Sequence, residues 1–497
     1  MERPLTHFQR TLGSIASLLG TDTDHDGMMI TGLTQASQSV ESGDIFLAFP
    51  GTKVHGAGFS DEAIRRGARA ILTDVYGAQI INAVSKEFPV VVVADPRRSA
   101  GILSAWFYDE PMRDMYSVGI TGTNGKTTTT TLLYQIWTRV GRESGLIGTI
   151  ETRIGSDLLK SIRTTPESSD LQALAATMRE RHVRNFVMEV SSHAISLERI
   201  RGSYFTAVAF TNLTQDHLDF HGTMEEYFQV KKAIFTFEYA ELAVINIDDP
   251  YGLRLAASVE IPVRTISRHD QKADWTYEFA VPHVHGHDVS IRGPGGVLIE
   301  ALLPLHGDYN LSNALMAIAL AYESGVNPVE IAAILPTLSG AKGRLEPVNI
   351  GQNFSAFVDY AHSPDAVSRV LETCKSMTMG RVIAVLGCGG DRDSSKRPLM
   401  GKALSNGSDV AVFTSDNPRS EDPEIILEHM VAGIVVGFPD KVVLDRRGAI
   451  QYAVSQALPG DIVVILGKGH ESGQERAGVV TPFDDRLELA HAIEACS

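Results

Sequence analysis

Tyr116-Ser-Val-Gly-Ile-Thr121 is an apolar, β-prone run that stops at Gly122-Thr-Asn-Gly-Lys-Thr-Thr128, after which a helical pattern continues to about Val140. A strand that turns through glycines into a helix confines the chain to an α/β architecture, and it creates an anion site. The glycines let loop N–H groups converge on phosphate oxygens, and the helix N-terminus adds partial positive charge. Gly122, Thr123, Asn124, Gly125 and Thr128 then form a phosphate cradle, Lys126 reaches the outer phosphates, and Thr127 offers its hydroxyl to Mg²⁺. The loop departs from the common G-x-x-x-x-G-K-[ST] form, because Ile120 stands where the first glycine belongs. An ordinary glycine-containing turn is the plain alternative, and the strand-to-helix context argues against it.

The rest of the chain repeats the same alternation. Apolar runs at Ala70–Thr73, Val90–Ala94, Phe186–Val190, Ala207–Phe210, Ala243–Ile247, Val382–Leu386, Val410–Thr414 and Asp461–Leu466 are separated by helix-length segments. That pattern predicts doubly covered parallel sheets. The length of 497 residues suits about three domains at roughly 150 residues each. Asp95-Pro96 and the small-residue hinge Ser339-Gly-Ala-Lys-Gly343 divide it into 1–95, 96–342 and 343–497. Residues 272–305 alternate like strands around glycine-rich turns, which predicts a small sheet within the middle domain.

With 44 basic and 60 acidic residues, net charge −16, the chain is poorly matched to nucleic acid or an anionic membrane. Three cysteines, Cys374, Cys388 and Cys496, without metal-like spacing fit a reducing compartment. No apolar run approaches the ~20 residues of a membrane span, and Leu12–Leu19 is too short and broken for a leader. A cytoplasmic location is expected.

Polar clusters follow the predicted strands. Met188-Glu-Val-Ser-Ser-His193 and Phe210-Thr-Asn-Leu-Thr-Gln-Asp-His-Leu-Asp-Phe-His-Gly222 come downstream of the phosphate loop. Strand carboxyl ends are where α/β folds bind ligands, so the two together favour an Mg²⁺–nucleotide site over turn chemistry. On a predicted helix Met224–Phe237, Lys231 reads by position as a solvated lysine. Asn310 and Asn313 share a helix face, which suits either a ligand contact or a cap. In the last third, Val358-Asp-Tyr-Ala-His-Ser-Pro364, Gly387-Cys-Gly-Gly-Asp-Arg-Asp393, Ser415-Asp-Asn-Pro-Arg419 and Gly467-Lys-Gly-His-Glu471 end four strands. Arg392, Arg419 and Lys468 suit anions while Asp416 and Glu471 suit an ammonium, so a small zwitterion is a natural ligand, with ordinary surface turns of this composition as the plain alternative.

In this order Thr121–Thr128, Glu189-Val-Ser-Ser-His193, Thr211-Asn-Leu213 with Asp216-His-Leu-Asp219, Asn310-x-x-Asn313, Gly343-Arg344 and Asp359-Tyr-Ala-His362 resemble the Mur ligase family across essentially the whole chain. The resemblance implies a UDP-binding N-terminal α/β domain, a central ATPase-type domain with a mostly parallel sheet, and a C-terminal Rossmann-like domain. It implies a monomer whose partners are small-molecule substrates, with ATP as co-substrate and two Mg²⁺ ions. Within the family, Gly43-Asp-Ile-Phe46, Cys388–Asp393, Asp416–Arg419 and Lys468–Glu471 point to addition of meso-diaminopimelate to UDP-N-acetylmuramoyl-L-alanyl-D-glutamate through an acyl phosphate, in peptidoglycan precursor synthesis.

Residue by residue, the resemblance implies that Glu189 and His217 hold magnesium, that Thr127 serves the nucleotide-bound ion, and that Lys231 is a carbamate (N6-carboxylysine) ligand of a second ion. Lys126, Glu189, His217 and Lys231 would carry catalysis. Asn310, Arg344 and Asp359 would contact ATP. Ser37, Thr52, Lys53, Val54, Thr164, Thr165, Ser191 and Arg199 would bind the UDP-dipeptide, although only the serine of a common Asp-Ser-Arg survives in Ala36-Ser37-Gln38, and Leu197 stands where Gln is frequent. Arg392, Asp416, Asn417, Pro418, Arg419, Gly467 and Glu471 would bind diaminopimelate, Arg419 gripping the distal carboxylate that lysine lacks. A lysine-adding ligase, a folylpolyglutamate synthetase-like ligase and a P-loop regulatory NTPase are the competing expectations; Arg419 argues against the first and the N-terminal domain against the second.

Overall fold

The computed structural model describes residues 3–51, 54–283 and 286–496, with backbone only for Asp219 and His283. Among the described residues, three large sheets follow one another along the chain, beside two two-stranded ones. The first has four parallel strands, Gly32–Thr34, Asp44–Leu47, Ala70–Thr73 and Val90–Val92, in sequential order. All four residues of Ala70–Thr73 are buried, as a continuous apolar run requires of a strand covered on both faces. The helix Pro96–Phe107 starts at Asp95, whose carboxylate accepts from the Arg98 N–H. It buries Ala100, Leu103 and Phe107 in the first sheet's core together with Ala173 and Ala176 of helix Ser168–Glu180. The seam near residue 95 is therefore bridged by a shared helix.

The central sheet has eleven strands, with Tyr116–Thr121 between Asn185–Glu189 and Phe205–Phe210, all parallel. Ala240–Asn246 and Val263–Ser267 extend it on one side and Ser144–Ile147 on the other. The antiparallel strands Trp275–His283, Gly286–Arg292 and Leu298–Leu303 do not form the separate small sheet expected from sequence. A two-residue parallel pairing, Ile266 with Trp275 and Ser267 with Thr276, joins them to the large sheet. Helices Lys126–Arg139 and Asp308–Glu323 pack together on one face around Leu132, Trp137 and Leu315.

The last sheet runs in the order Glu346–Pro347, Ser355–Asp359, Ile462–Leu466, Val382–Cys388, Val410–Ser415, Lys441–Val443, parallel except for the first strand. Beneath its carboxyl edge, Arg446 and Asp485 form a fully buried bidentate pair at 2.7 and 2.6 Å. The same guanidinium donates to the Ser415 and Leu466 carbonyls, so one side chain fixes the ends of two strands just before their polar loops. Among the described residues no helix is long and apolar enough to cross a membrane.

Candidate active site

A cleft of about 750 Å³ opens between the carboxyl edges of the central and last sheets. On its central wall the phosphate loop is held open by two left-handed glycines, Gly122 at φ 148° and Gly125 at φ 90°. A Cβ on Gly125 would lie 2.3 Å from Asn313 Oδ1, so this position admits no side chain. Lys126 Nζ folds over the loop and donates to the Gly122 and Thr123 carbonyls at 3.0 and 2.9 Å. Burial lowers its pKa, against which the Glu189 carboxylate holds its charge.

Glu189 closes its strand 1% exposed and gathers the hydroxyl-rich residues around it. Thr127 Oγ1 donates to it at 2.9 Å, and Thr149 donates through both N–H and hydroxyl at 2.7 and 3.1 Å. Thr164 bonds Thr149 at 3.0 Å, while Thr165 donates to the Glu189 carbonyl at 2.8 Å and accepts from the Ser191 N–H at 3.1 Å. The structure thus brings Thr127, Thr164, Thr165, Glu189 and Ser191 into one cluster. Thr149 was missed in the sequence, where it looks like a turn residue.

His217 stands in the left-handed region at φ 52°, its ring edge-on to His193 with centroids 4.9 Å apart. Burial pushes its pKa down to about 4, against the opposing pull of Asp216, so the imidazole is neutral near pH 7. Lys231 is 1% exposed, and its Nζ donates to the Gly122 carbonyl at 2.9 Å. The positional reading of Lys231 as a solvated lysine is overturned. Burial, then the neighbouring Lys126 charge, lower its pKa strongly. Its helix is Met224–Lys232, shorter than Met224–Phe237, because the Ala233 N–H is shared between the Gln229 and Val230 carbonyls and tightens the last turn. The buried stripe still continues through Ile234 and Phe235.

Across the cleft, Arg344 lies over the Tyr360 ring at 4.6 Å and leaves its Nε without a hydrogen-bond partner. Asp359 accepts the Leu345 and Ala361 N–H groups, both at 2.7 Å, and burial raises its pKa. Asn313 lines the cleft, whereas Asn310 lies behind it, bonded to the His306 carbonyl and to Asn313.

A second constellation lies on the last sheet's edge. Lys468, fully buried, donates to Asn417 at 3.0 Å and to Glu471 at 3.2 Å, with Asp416 3.7 Å away. Gly467 has φ 111°, and a Cβ there would meet Asp416 Oδ2 at 2.7 Å. Arg419 follows Pro418 and donates to the Gly390 carbonyl at 2.6 Å, with Glu475 at 3.6 Å. Arg392 is exposed on the adjoining loop.

The remaining sequence candidates gather less tightly. Arg199 pairs with buried Glu167 at 2.9 Å and donates to the Thr165 carbonyl at 3.4 Å. Ser37 turns its hydroxyl to Glu62 at 2.6 Å, Val54 is exposed, and Thr52 and Lys53 lie outside the described residues. Arg97 links the two regions, donating to the Pro50 carbonyl at 3.2 Å and lying 3.8 Å from Glu167. In the sequence it looked like an ordinary first-turn helix residue.

Family models described as the Mur ligase family catalytic domain, the Mur ligase middle domain and the Mur ligase glutamate ligase domain match residues 29–101, 120–321 and 343–469. The chain belongs to the Mur ligase family. A Streptomyces coelicolor protein named UDP-N-acetylmuramoyl-L-alanyl-D-glutamate–2,6-diaminopimelate ligase is 45% identical over 499 residues, covering 99% of this chain and 98% of its own. A Geobacillus kaustophilus protein of the same name is 41% identical, covering 94% and 95%. A solved structure of a ligase with that name matches with a TM-score of 0.70 at 31% identity, covering 98% of this chain and 99% of its own. The Mycobacterium tuberculosis folylpolyglutamate synthase complexed with ADP and AMPPCP shares the fold, with a TM-score of 0.59 at 20% identity over 74% of this chain and 92% of its own.

Proposed function

We propose that the chain is an ATP-dependent amide-bond ligase that adds meso-diaminopimelate to UDP-N-acetylmuramoyl-L-alanyl-D-glutamate. The observation that carries the reading is a cleft lined by a phosphate loop and the Glu189 cluster, with a separate zwitterion site of opposed charges on the last sheet's edge. The full-length likeness to ligases of that name supports it.

The reaction runs in two steps. The D-glutamyl γ-carboxylate takes the γ-phosphoryl group of ATP and ADP leaves; the amine then attacks the acyl carbon, expelling phosphate and losing a proton. Negative charge grows on phosphoryl and acyl oxygens, so the protein's task is electrostatic. The loop N–H groups and Lys126 hold the transferring phosphoryl group, and nucleotide binding frees the Lys126 ammonium from the two carbonyls it now caps. Arg344 and Asp359 contact the nucleotide from the last domain, and Asn313 supports Gly125 from behind, with Asn310 backing it in turn.

The donor set fits Mg²⁺: the Thr127 hydroxyl and Glu189 carboxylate are hard oxygen ligands one hydrogen bond apart, and His217 is neutral. Among the described residues no group of three or more His, Cys, Asp or Glu side chains stands assembled for a metal. Bound Mg²⁺ would neutralise charge on the phosphoryl oxygens. Lys231, buried with its amine pushed toward the neutral form, suits carbamate formation: the amine adds CO₂, a proton leaves, and an anionic ligand results.

Thr164, Thr165, Ser191 and Arg199 receive the dipeptide end of the precursor, while Ser37 and the segment 52–54 serve its UDP end. Asp416, Asn417, Glu471 and the backbone at Gly467 bind the amino end of diaminopimelate, with Arg392 and Arg419 on its carboxylates. The segments 1–95, 96–342 and 343–497 act as precursor-, ATP- and amino-acid-binding domains of a cytoplasmic monomer that engages no nucleic acid. Phosphate release with Mg-ATP and the UDP-dipeptide, run with meso-diaminopimelate or L-lysine, tests the reading. Turnover with diaminopimelate alone is expected; turnover with lysine alone refutes the acceptor, and turnover with neither refutes the ligase.

A further inference from the structure

The amino-acid loops and the phosphate site belong to different domains, yet one side chain spans them. Lys396 opens the helix Lys396–Gly407, directly after the loop that carries Arg392. Its Nζ lies 3.0 Å from Asp216 Oδ1 on the central domain. Asp216 in turn accepts the His217 N–H at 2.9 Å, and its other oxygen is 3.5 Å from His217 Nε2. Both Asp216 and His217 line the cleft with Lys126 and Glu189.

The other end of the link is equally firm. Arg397, the next residue, is 2% exposed and donates to Glu421 at 2.7 Å and to the Gly389 carbonyl at 3.4 Å. Gly390 donates to the Asn417 carbonyl at 2.9 Å and accepts from Arg419 at 2.6 Å. The start of this helix is thus anchored to two of the zwitterion site's three loops, and its first side chain touches the loop that presents His217. Few geometries tie a nucleophile's binding site to an electrophile's so directly.

We propose that Lys396 is a positioning residue for amide formation: through its ion pair with Asp216 it registers the amino-acid loops against the acyl-phosphate centre. This rests on the ligase reading above. The pair is partly open to water, with side chains 26% and 15% exposed, so it adds little to folding stability. Its effect is on alignment, where a displacement near 1 Å costs on the order of 100-fold in rate. The acyl phosphate forms from ATP and the UDP-dipeptide alone, so the two steps are separable.

The test uses Lys396→Gln and Lys396→Arg in the full chain, with thermal melting to establish folding. Acyl phosphate is trapped with borohydride in the absence of amino acid, and amide product is measured with diaminopimelate. In Lys396→Gln, trapped acyl phosphate and KM for ATP are expected within about threefold of wild type, while amide formation falls about 10- to 100-fold. Lys396→Arg should recover most of the loss, and adding Lys396→Gln to Asp216→Asn should cost little more than Asp216→Asn alone. Wild-type amide formation in Lys396→Gln overturns the proposal, as does equal loss of both steps or full additivity with Asp216→Asn. Wild-type enzyme that forms no amide overturns the ligase reading, and this inference with it.

Discussion

Arg419→Lys isolates what a guanidinium does for acceptor choice. Arg419 has φ 51°, a conformation that costs a non-glycine residue on the order of 1 kcal/mol. Hydrogen bonds hold it there: its N–H donates to the Glu475 carbonyl at 3.1 Å, its carbonyl accepts from Ala477 at 2.6 Å, and Nη1 is fixed on Gly390. The side chain is 24% exposed, so its head is largely enclosed while one edge stays accessible. A lysine keeps the charge and the proximity to Glu475 but loses the planar fork, so one of two parallel bonds to the distal carboxylate disappears. One charge-assisted hydrogen bond is worth about 1.5–3 kcal/mol. At about 1.4 kcal/mol per decade this is a loss of about 10- to 150-fold in kcat/KM for diaminopimelate. L-Lysine has no distal carboxylate, so its kcat/KM should change by less than about threefold on the same arithmetic. Steady-state phosphate release with each acceptor measures both. An equal fall with the two acceptors, or no fall with diaminopimelate, refutes the assignment of Arg419 to that carboxylate.

Other perturbations give separate checks. Gly125→Ala should weaken ATP binding by at least about tenfold in calorimetry, since φ 90° and Asn313 Oδ1 at 2.3 Å leave no room for a methyl; unchanged affinity would show that the loop adapts. Lys231→Ala should abolish turnover and regain part of it with added acetate, whose carboxylate enters the vacated space; inactivity at all acetate concentrations would count against the carbamate. His217 and His470 both titrate near pH 4 through burial, below the ordinary value of about 6.5. The unfolded chain therefore takes up protons at these sites before the folded chain does, and stability should fall as pH drops from about 6.5 to 4. His470 should contribute more, because His217 is 46% exposed; a thermal midpoint flat across that window sinks the argument.

The fold was legible where burial is two-sided. Tyr116–Thr121 and Ala70–Thr73 have the limits that their apolar runs set, because a parallel strand between helix layers admits no polar alternation. The join between Val263–Ser267 and Trp275–His283 was not legible, since two backbone pairings leave no mark on side-chain pattern. The phosphate loop could be read locally because its chemistry is backbone and contiguous. Lys231 could not: it and Lys232 are neighbours on one helix, and contacts over a hundred residues away, with the Thr121 hydroxyl and the Gly122 carbonyl, tell the buried one from the other. The family resemblance supplied what helix position withheld. Thr149 and Arg97 escaped both routes, because their partners Glu189, Glu167 and Pro50 meet them only in the folded molecule.

One carbonyl has a consequence for metabolism. The Gly122 oxygen accepts from two lysines, Lys126 at 3.0 Å and Lys231 at 2.9 Å. On the proposed reading, nucleotide draws the first away, and carbamate formation converts the second from a buried amine donor to an anion. Two ligands that each take a donor from the same acceptor oxygen would be thermodynamically linked, and the linkage reciprocal: whatever factor CO₂ applied to nucleotide affinity, nucleotide would apply to carbamate formation. Were Lys231 carbamylated as proposed, dissolved inorganic carbon would be an input to this enzyme, and its flux a readout of carbon dioxide as well as of ATP.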